Sequence, residues 1–578
     1  MSNTMPSSGG NNRRRNVDAP NESDYGIGRV VGASTTEGLL IRLNDNVSPE
    51  DLKIGIPVVC EGERYDFFSI INDIVLSSTD QGLVDRIAGF REAATRKSGN
   101  AAASSFEAFE YPYGSIFFSY ISANPVSMVN KMTSEISPPV TVPKHFSEVH
   151  RANSKDISLV YGPIERKIRY SIGTLLGTDS LLPLDIGKFM ELSAMIAGVT
   201  GYGKTRLAKL LAGCVVDSEQ GCILAFDMQS EYGWRSRADG SPGLKHFFKD
   251  RVVYMTLDPA SSKEYDETFE VPYSSFEPED LEISFEDLTE TMKDSLDLIC
   301  RRYIKENWLD ALVNYDLDEL LAMTGGQTDE KGKATPGNIP RGTLAAIQRR
   351  IHARIVRLSF VKEKTEIDSV KNILNYLKSG KSVVLDFGKY GMDVGTYVMV
   401  SNMITRRLYE KFTSNPDVYQ PTKIMVEEGH KFLSPELSRR SVFGKIAREM
   451  RKFKLTLCVV DQRPSAIYDE VISQMPTRFL FHLGEERDID AALSGSEQPA
   501  KWRNVLARIG RQECLGFGYA FPNHTVFKVG NYDESLKDIW SPMKTRKNEP
   551  GHGGTDSGKD SSSVDESKKR LKEVSERL

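Results

Sequence analysis

The chain has 578 residues, 39% of them hydrophobic and 27% charged, with a formal net charge of −5. That length predicts at least two domains with a large apolar core. The acidic balance excludes a polycation, so any contact with nucleic acid must come from a local basic surface. Six cysteines stand at 60, 214, 222, 300, 458 and 514 with no Cys-x-x-Cys pair and no histidine at zinc spacing, which predicts reduced thiols in a cytoplasmic protein. No signal peptide and no apolar run long enough to span a bilayer is visible.

Residues 1–24 are polar, contain Arg13-Arg14-Arg15, and read as a disordered tail. Residues 25–150 read as a small β-barrel with its lead-in. The segments GIGRVVGAS, GLLIRLN, IPVVCEG and DFFSIINDIVLSS are short, rich in Val, Ile and Phe, and divided by Gly, Asn, Asp and Pro. KSGNAAASS at 97–105 reads as a loop, and GSIFFSYIS and PPVTVP as further strands.

Residues 151–545 read as an α/β core. From about residue 190, apolar runs (LSAMIAG, CILAFD, SVVLDFG, KIMVEEG, LTLCVVDQ, TRFLFHL) alternate with helical patterns, which predicts a largely parallel sheet covered on both faces. No β run is visible between roughly 275 and 375. There Leu344, Ile347, Ile351, Ile355 and Leu358 recur at spacings of three and four, so this stretch is expected to be a helical insertion. Residues 546–578 read as a linker followed by a short helix carrying Val564, Leu571, Val574 and Leu578 on one stripe.

One segment carries specific chemistry. Gly198-Val199-Thr200-Gly201-Tyr202-Gly203-Lys204-Thr205 satisfies G-x-x-x-x-G-K-[ST], follows an apolar strand and opens a helix that continues through Arg206. Glycines allow a turn whose backbone N–H groups point inward at phosphate oxygens. Lys204 is expected to neutralise the β- and γ-phosphates, Thr205 to place its hydroxyl on Mg²⁺, and the helix N-terminus to add its dipole. An Asn-Lys-x-Asp guanine reader is absent, which favours ATP over GTP.

A hydrolase also needs one carboxylate near the magnesium shell and another for water. KIMVEEGHKF offers Glu427 for the first task and Glu428 for the second, at a strand end. Two other strand ends bear polar groups: Asp227 and Glu231 in CILAFDMQSEYGW, and Gln462 in LTLCVVDQRPS, where a glutamine can sense the γ-phosphate.

The order P-loop, DMQSEY, VEEGHKF, IAREMRKFKLTLCVVDQRPSAIYDEVISQ resembles the HerA branch of the HerA–FtsK ATPases, over about residues 25–540. The resemblance implies a HAS-barrel followed by a RecA-like motor, a homohexamer acting on double-stranded DNA, and a partner nuclease of NurA type or, in anti-phage defence, a sirtuin-like or other effector, docked on the barrel. It also implies an arginine donated to the neighbouring subunit's ATP from Arg448–Lys454, with Arg451 the first candidate and Arg448 the second. Glu427 stands where the family has Asp, Gly429 where Ala is common and Asp461 where Thr is common, so a slow but active ATPase is expected. Two other readings stay open: a nucleotide-switched ring that scaffolds and activates an effector, and a secretion coupling ATPase, which shares the core but is expected to carry membrane helices. The helix with Arg341, Arg349, Arg350, Arg354 and Arg357 and the segment LSRRSVFGKIAREMRKFK are the basic candidates for sequence-independent DNA contact.

Overall fold

A computed structural model describes residues 26–78, 117–262, 264–285, 287–304, 307–324 and 339–530. The expected N-terminal tail, the loop at 97–105 and the C-terminal helix lie outside these residues.

The first seven strands are β1 (Gly28–Ser34), β2 (Gly38–Leu43), β3 (Pro57–Glu61), β4 (Tyr65–Ser78), β5 (Phe117–Asn130), β6 (Ile136–Ser137) and β7 (Glu148–Arg151). They run in the order β2-β1-β7-β3-β4-β5-β6, and a further β2–β5 pairing closes a six-stranded antiparallel barrel with β6 appended outside. Closure follows from the two long strands. β4 and β5 pair from Tyr65↔Asn130 to Ser78↔Phe117, with register shifts at Phe68/Ser69 and Ile71/Asp73. Bulges of this kind bend a strand around the barrel. Gly38 takes φ 92° at the β1–β2 turn, and a Cβ there would stand 2.6 Å from the Ala123 carbonyl oxygen on β5, so only glycine allows this closure. Val30, Ile41, Val58, Ile71, Ile121 and Val149 fill the barrel interior. The segment PPVTVP, expected as a strand, is not one: two prolines in succession and a third four residues on deny it ladder donors.

A capped helix leads from the barrel to the core. Asn153 accepts from the N–H groups of Lys155 and Asp156, and the Asp156 carboxylate accepts from the Asn153 N–H, a reciprocal capping box at the start of the helix Ser154–Tyr161. At its far end the buried Tyr161 hydroxyl donates to Asn523 Oδ1 (2.9 Å), and Asn523 Nδ2 donates to Ser127 Oγ on β5 (3.1 Å). Barrel, lead-in helix and core thus share one buried polar junction.

The core sheet has twelve strands: β8 (Arg169–Leu175), β9 (Leu181–Asp185), β10 (Ala194–Ala197), β11 (Cys222–Asp227), β12 (Val252–Thr256), β13 (Glu267–Thr268), β16 (Ser382–Asp386), β17 (Thr422–Glu427), β18 (Leu455–Asp461), β19 (Thr477–Leu480), β20 (Glu513–Phe517) and β21 (Thr525–Val529); β14 (Val271–Pro272) and β15 (Val361–Lys362) form a separate pair. The order is β13-β12-β16-β11-β17-β18-β10-β19-β20-β21-β8-β9, parallel from β13 to β19 and antiparallel beyond. Every residue of β10, β11, β16, β17 and β18 is buried, as expected for strands covered on both faces. The parallel sheet read from residue 190 onward is therefore extended by four antiparallel strands, two of which precede it in the chain.

The short strand β15 interrupts the stretch expected to be free of β structure. Its described residues otherwise carry helices, over Pro278–Ser284, Glu290–Leu298, Trp308–Asn314, Leu317–Met323 and Arg341–Arg354. Leu344, Ile347, Ile351, Ile355 and Leu358 are all buried, as their spacing predicts. The buried Asp280 carboxylate accepts from Arg406 Nη2 (2.7 Å) and ties these helices to the long helix Val394–Ser414, which covers one face of the sheet.

Candidate functional site

β10 lies between β18 and β19, while the chain leaving it returns to the sheet at β11, two strands beyond β18. The order reverses here, and in an open parallel sheet that leaves a crevice at the carboxyl ends of the strands. The loop 198–203 fills the crevice mouth. Gly198 N–H donates to the Asp461 carbonyl (3.2 Å) and Val199 N–H to the His482 carbonyl (3.0 Å), so β18 and β19 both hold the loop. Gly198, Gly201 and Gly203 take φ of 150°, 83° and 114°. A Cβ on Gly198 would stand 2.5 Å from Cβ of Phe481, so the position requires glycine for space as well as conformation. The Tyr202 ring stacks on His482 with centroids 5.0 Å apart. The helix Lys204–Ser218 then starts without a side-chain cap, leaving its first N–H groups facing the loop.

Lys204 is half-buried, and its Nζ donates to the Val199 carbonyl (3.1 Å). Burial lowers its pKa, against the opposing charges of Glu428, Asp461, Glu427 and Glu231. Those four carboxylates come from three strand ends and converge on one ammonium.

Glu427 and Glu428 occupy different environments. Glu427 ends β17, is buried, and has its pKa pushed well up by burial and then by the charges of Asp227 and Glu231, with the Tyr232 hydroxyl pulling the other way. Its Oε2 meets no partner at hydrogen-bonding geometry among the described residues; the buried Tyr232 hydroxyl beside it is likewise unpaired there. A buried carboxylate left this way is costly unless a cation meets it. Glu428 is partly exposed and sits at φ 51°, a left-handed conformation that costs a non-glycine residue about 1 kcal/mol or more and persists only where its surroundings enforce it. That turn aims its side chain at β18. Thr200 Oγ1 donates to Gln462 Oε1 (2.7 Å), and Gln462 Nε2 donates to Glu428 Oε1 (2.9 Å). One hydrogen-bonded chain therefore crosses from the phosphate loop through Gln462 to Glu428.

Asp227 sits deeper. It is fully buried, and its two oxygens accept from the N–H groups of Glu231 and Tyr232 (2.8 Å each). Burial and the nearby Asp386 raise its pKa to about 7. Its visible work is to shape the loop that carries Glu231 and Tyr232 toward Glu427. Thr205 and Arg206 lie in the first turn of the helix after the loop, both partly exposed. Arg448 and Arg451 stand apart from the rest. They precede β18 and so lie at the amino ends of the strands. A seven-residue strand puts about 20 Å between that end and the phosphate loop. Both are exposed; Arg451 pairs with Glu191, whose other oxygen accepts from the Tyr519 hydroxyl (2.6 Å). Neither arginine reaches the cradle of its own chain.

Two further residues belong to the site, which the sequence marked only as departures from the resembled family. The buried Asp461 carboxylate accepts from the His430 N–H (2.7 Å) and the Arg463 N–H (2.6 Å), and lies 3.1 Å from His430 Nδ1. It clamps the turn that holds Glu428. His430 is a strand away in space but 31 positions away in the chain, so spacing gave no hint of that contact. Gly429 packs against β18, where a Cβ would stand 2.1 Å from Val459 Cγ1. The alanine common at this position in the resembled family has no room here.

The donor set fits a nucleoside triphosphate with a divalent cation: a glycine loop of inward N–H groups, one lysine, one hydroxyl beside it, and a buried carboxylate oxygen with no partner.

Comparison with known proteins agrees with this chemistry. Residues 170–408 match the family model described as "Helicase HerA, central domain". The chain is similar to the DNA double-strand break repair helicase HerA of Pyrococcus furiosus, 23% identical over 72% of this chain and 82% of that protein. It is also similar to the HerA of Saccharolobus solfataricus, 22% identical over 88% and 93%. Among solved structures it resembles VirB4 of Thermoanaerobacter pseudethanolicus, with a TM-score of 0.44 and 14% identity over 64% of this chain and 98% of that one. The HerA resemblance read from the motif order is borne out.

Proposed function

We propose that this HerA-type chain, a P-loop ATPase of the HerA–FtsK kind, is an ATP-driven translocase on double-stranded DNA that works as a homohexamer with a partner nuclease or effector. The observation that carries the reading is the hydrogen-bonded chain Thr200–Gln462–Glu428, set beside Lys204 and the unpaired Glu427 oxygen. Glu428 orients and polarises the attacking water. Lys204 and the loop N–H groups take the charge of the β- and γ-phosphates. Thr205 and Glu427 hold Mg²⁺, which when bound neutralises charge on the same oxygens. Gln462 touches both the phosphate loop and the hydrolytic carboxylate, so a γ-phosphate that takes its amide changes the restraint on Glu428. Arg451, or failing it Arg448, reaches the triphosphate of an adjacent copy, which makes turnover depend on assembly.

DNA-end processing and anti-phage defence both fit such a motor, with a NurA-like nuclease or a sirtuin-like effector docked on the barrel. A second reading has an observation of its own. Between β5 and β7, Met132, Val140 and Phe146 are 95%, 76% and 67% exposed, three large apolar side chains free to meet a partner protein. In that reading the ring clusters an effector and nucleotide controls its assembly.

ATP turnover of the purified chain with and without linear duplex DNA tests both readings. The motor predicts strong stimulation by duplex and no turnover in Lys204→Ala. Turnover that ignores DNA, with an effector switched on by the Glu428→Gln ring, supports the scaffold. Near-normal turnover in Lys204→Ala removes the proposed site.

A further inference from the structure

The helix Arg341–Arg354 and the residues just beyond it carry five arginines, and the fold sorts them. Arg341 pairs with Asp318. Arg350 pairs with Asp287 (2.8 Å). Arg354 donates to the Ser284 carbonyl (3.2 Å) and lies over the Phe285 ring. Arg349 and Arg357 differ: they make no ion pair or side-chain hydrogen bond with the described residues, and both are exposed together with His352. These three line one groove of about 480 Å³ along the outer face of the helix, and no acidic residue among the described residues lines it.

Tyr315 forms the opposite wall. Its position is fixed, because Gln348 on the same helix donates to the backbone carbonyls of Leu312 (3.2 Å) and Tyr315 (3.0 Å). The acids nearest in sequence are engaged elsewhere: Asp316 caps the helix Leu317–Met323, its own N–H is bound by Glu319, and Asp318 holds Arg341. The groove thus offers two guanidinium groups, an imidazole and a phenol with no counter-charge among the described residues that line it. Arg349 lies on the helix and Arg357 in the turn just beyond its end, so the groove presents two guanidinium groups from one continuous segment, able to meet neighbouring phosphates of one strand.

We infer that this groove binds the sugar-phosphate backbone of DNA, with Arg349 and Arg357 as phosphate contacts and His352 and Tyr315 as hydrogen-bonding support. Nothing in it can read base edges in a fixed frame, so the contact is independent of sequence. The inference rests on the reading of the chain as a DNA motor and names where the motor meets its track.

The test is equilibrium binding of a fluorescent linear duplex to the full chain across a salt series. Arg349→Ala/Arg357→Ala is compared with wild type and with Arg341→Ala/Arg350→Ala, which removes the same formal charge from arginines already paired. The groove predicts that the first variant binds about tenfold or more weakly at low salt, with a log–log salt slope shallower by about 2. It predicts DNA-free ATP turnover and melting temperature unchanged, while the control variant keeps the wild-type slope. Wild type and the groove variant binding alike, with equal slopes, overturns the assignment and leaves the motor reading standing; a partner protein then becomes the groove's ligand. A wild type that binds no duplex at any salt overturns the motor reading and the groove together.

Discussion

Gly429 and Val459 touch across two neighbouring strand ends, and that contact decides what the Glu428 turn tolerates. Gly429→Ala places a methyl 2.1 Å from Val459 Cγ1, an overpacking expected to cost about 1–3 kcal/mol. Thermal melts are expected to show the loss, and Val459→Ala in the same chain is expected to recover most of it; a Gly429→Ala protein as stable as wild type contradicts the packing. His430 offers a second check. Its hydrogen bond to Asp461 raises its pKa above the ordinary 6.5, with burial opposing. A base raised on folding contributes stability that is complete below about 6.5 and lost as pH rises through the raised folded value. His430→Gln is therefore expected to be less stable than wild type at pH 6 and to converge with it in alkali; parallel curves contradict the pairing. At this scale the sequence was most legible where function is contiguous. Eight consecutive residues spell the cradle, and Glu427-Glu428 are adjacent. Asp461 and His430 were opaque because only the β17–β18 pairing brings them together, and Asp227 because its type does not tell a ligand from a buried backbone clamp.

Between elements, the barrel and the core meet around His524. Its ring lies between Trp502 (centroids 4.4 Å, planes 4° apart) and Phe517 (4.7 Å, 12°), and its Nε2 is buried without a partner. Burial lowers its pKa from 6.5 to about 4. A base lowered on folding contributes stability that is present above 6.5 and lost as pH falls toward 4, up to about 3 kcal/mol in all. His524→Phe keeps an aromatic ring in the stack and removes the titration. Its melting temperature is expected to fall less than that of wild type between pH 7 and pH 5; an equal fall contradicts the role given to this ring. The motor strands were legible because burial on both faces demands unbroken apolar runs. β8 and β9 were not, since Arg169, Ser171, Gly173 and Pro183 break the pattern and β21, which joins β8 to the sheet, lies some 350 positions later. In the insertion, helix periodicity gave the buried face but not the two-residue strand β15, which is too short to have a period.

At the scale of the whole molecule, the shared site proposed above divides the functional groups between two ends of the sheet. Four carboxylates surround a lysine at the carboxyl ends of the strands, whereas Arg448 and Arg451 sit toward the amino ends, from which the proposal has them serve an adjacent copy. Arg451→Ala is expected to keep nucleotide binding and lose hydrolysis. Hydrolysis that survives moves the role to Arg448, and survival in the double variant ends the shared site. The motif order made the P-loop ATPase core legible, whereas the proposed oligomer, partner and DNA path would depend on surfaces that only a second copy or a ligand completes. The most direct measurement is steady-state ATP turnover of Glu428→Gln beside wild type, both with linear duplex DNA and both shown to bind nucleotide. If Glu428 activates the water, turnover falls by about a hundredfold or more while binding is retained. Equal turnover in the two proteins contradicts the account.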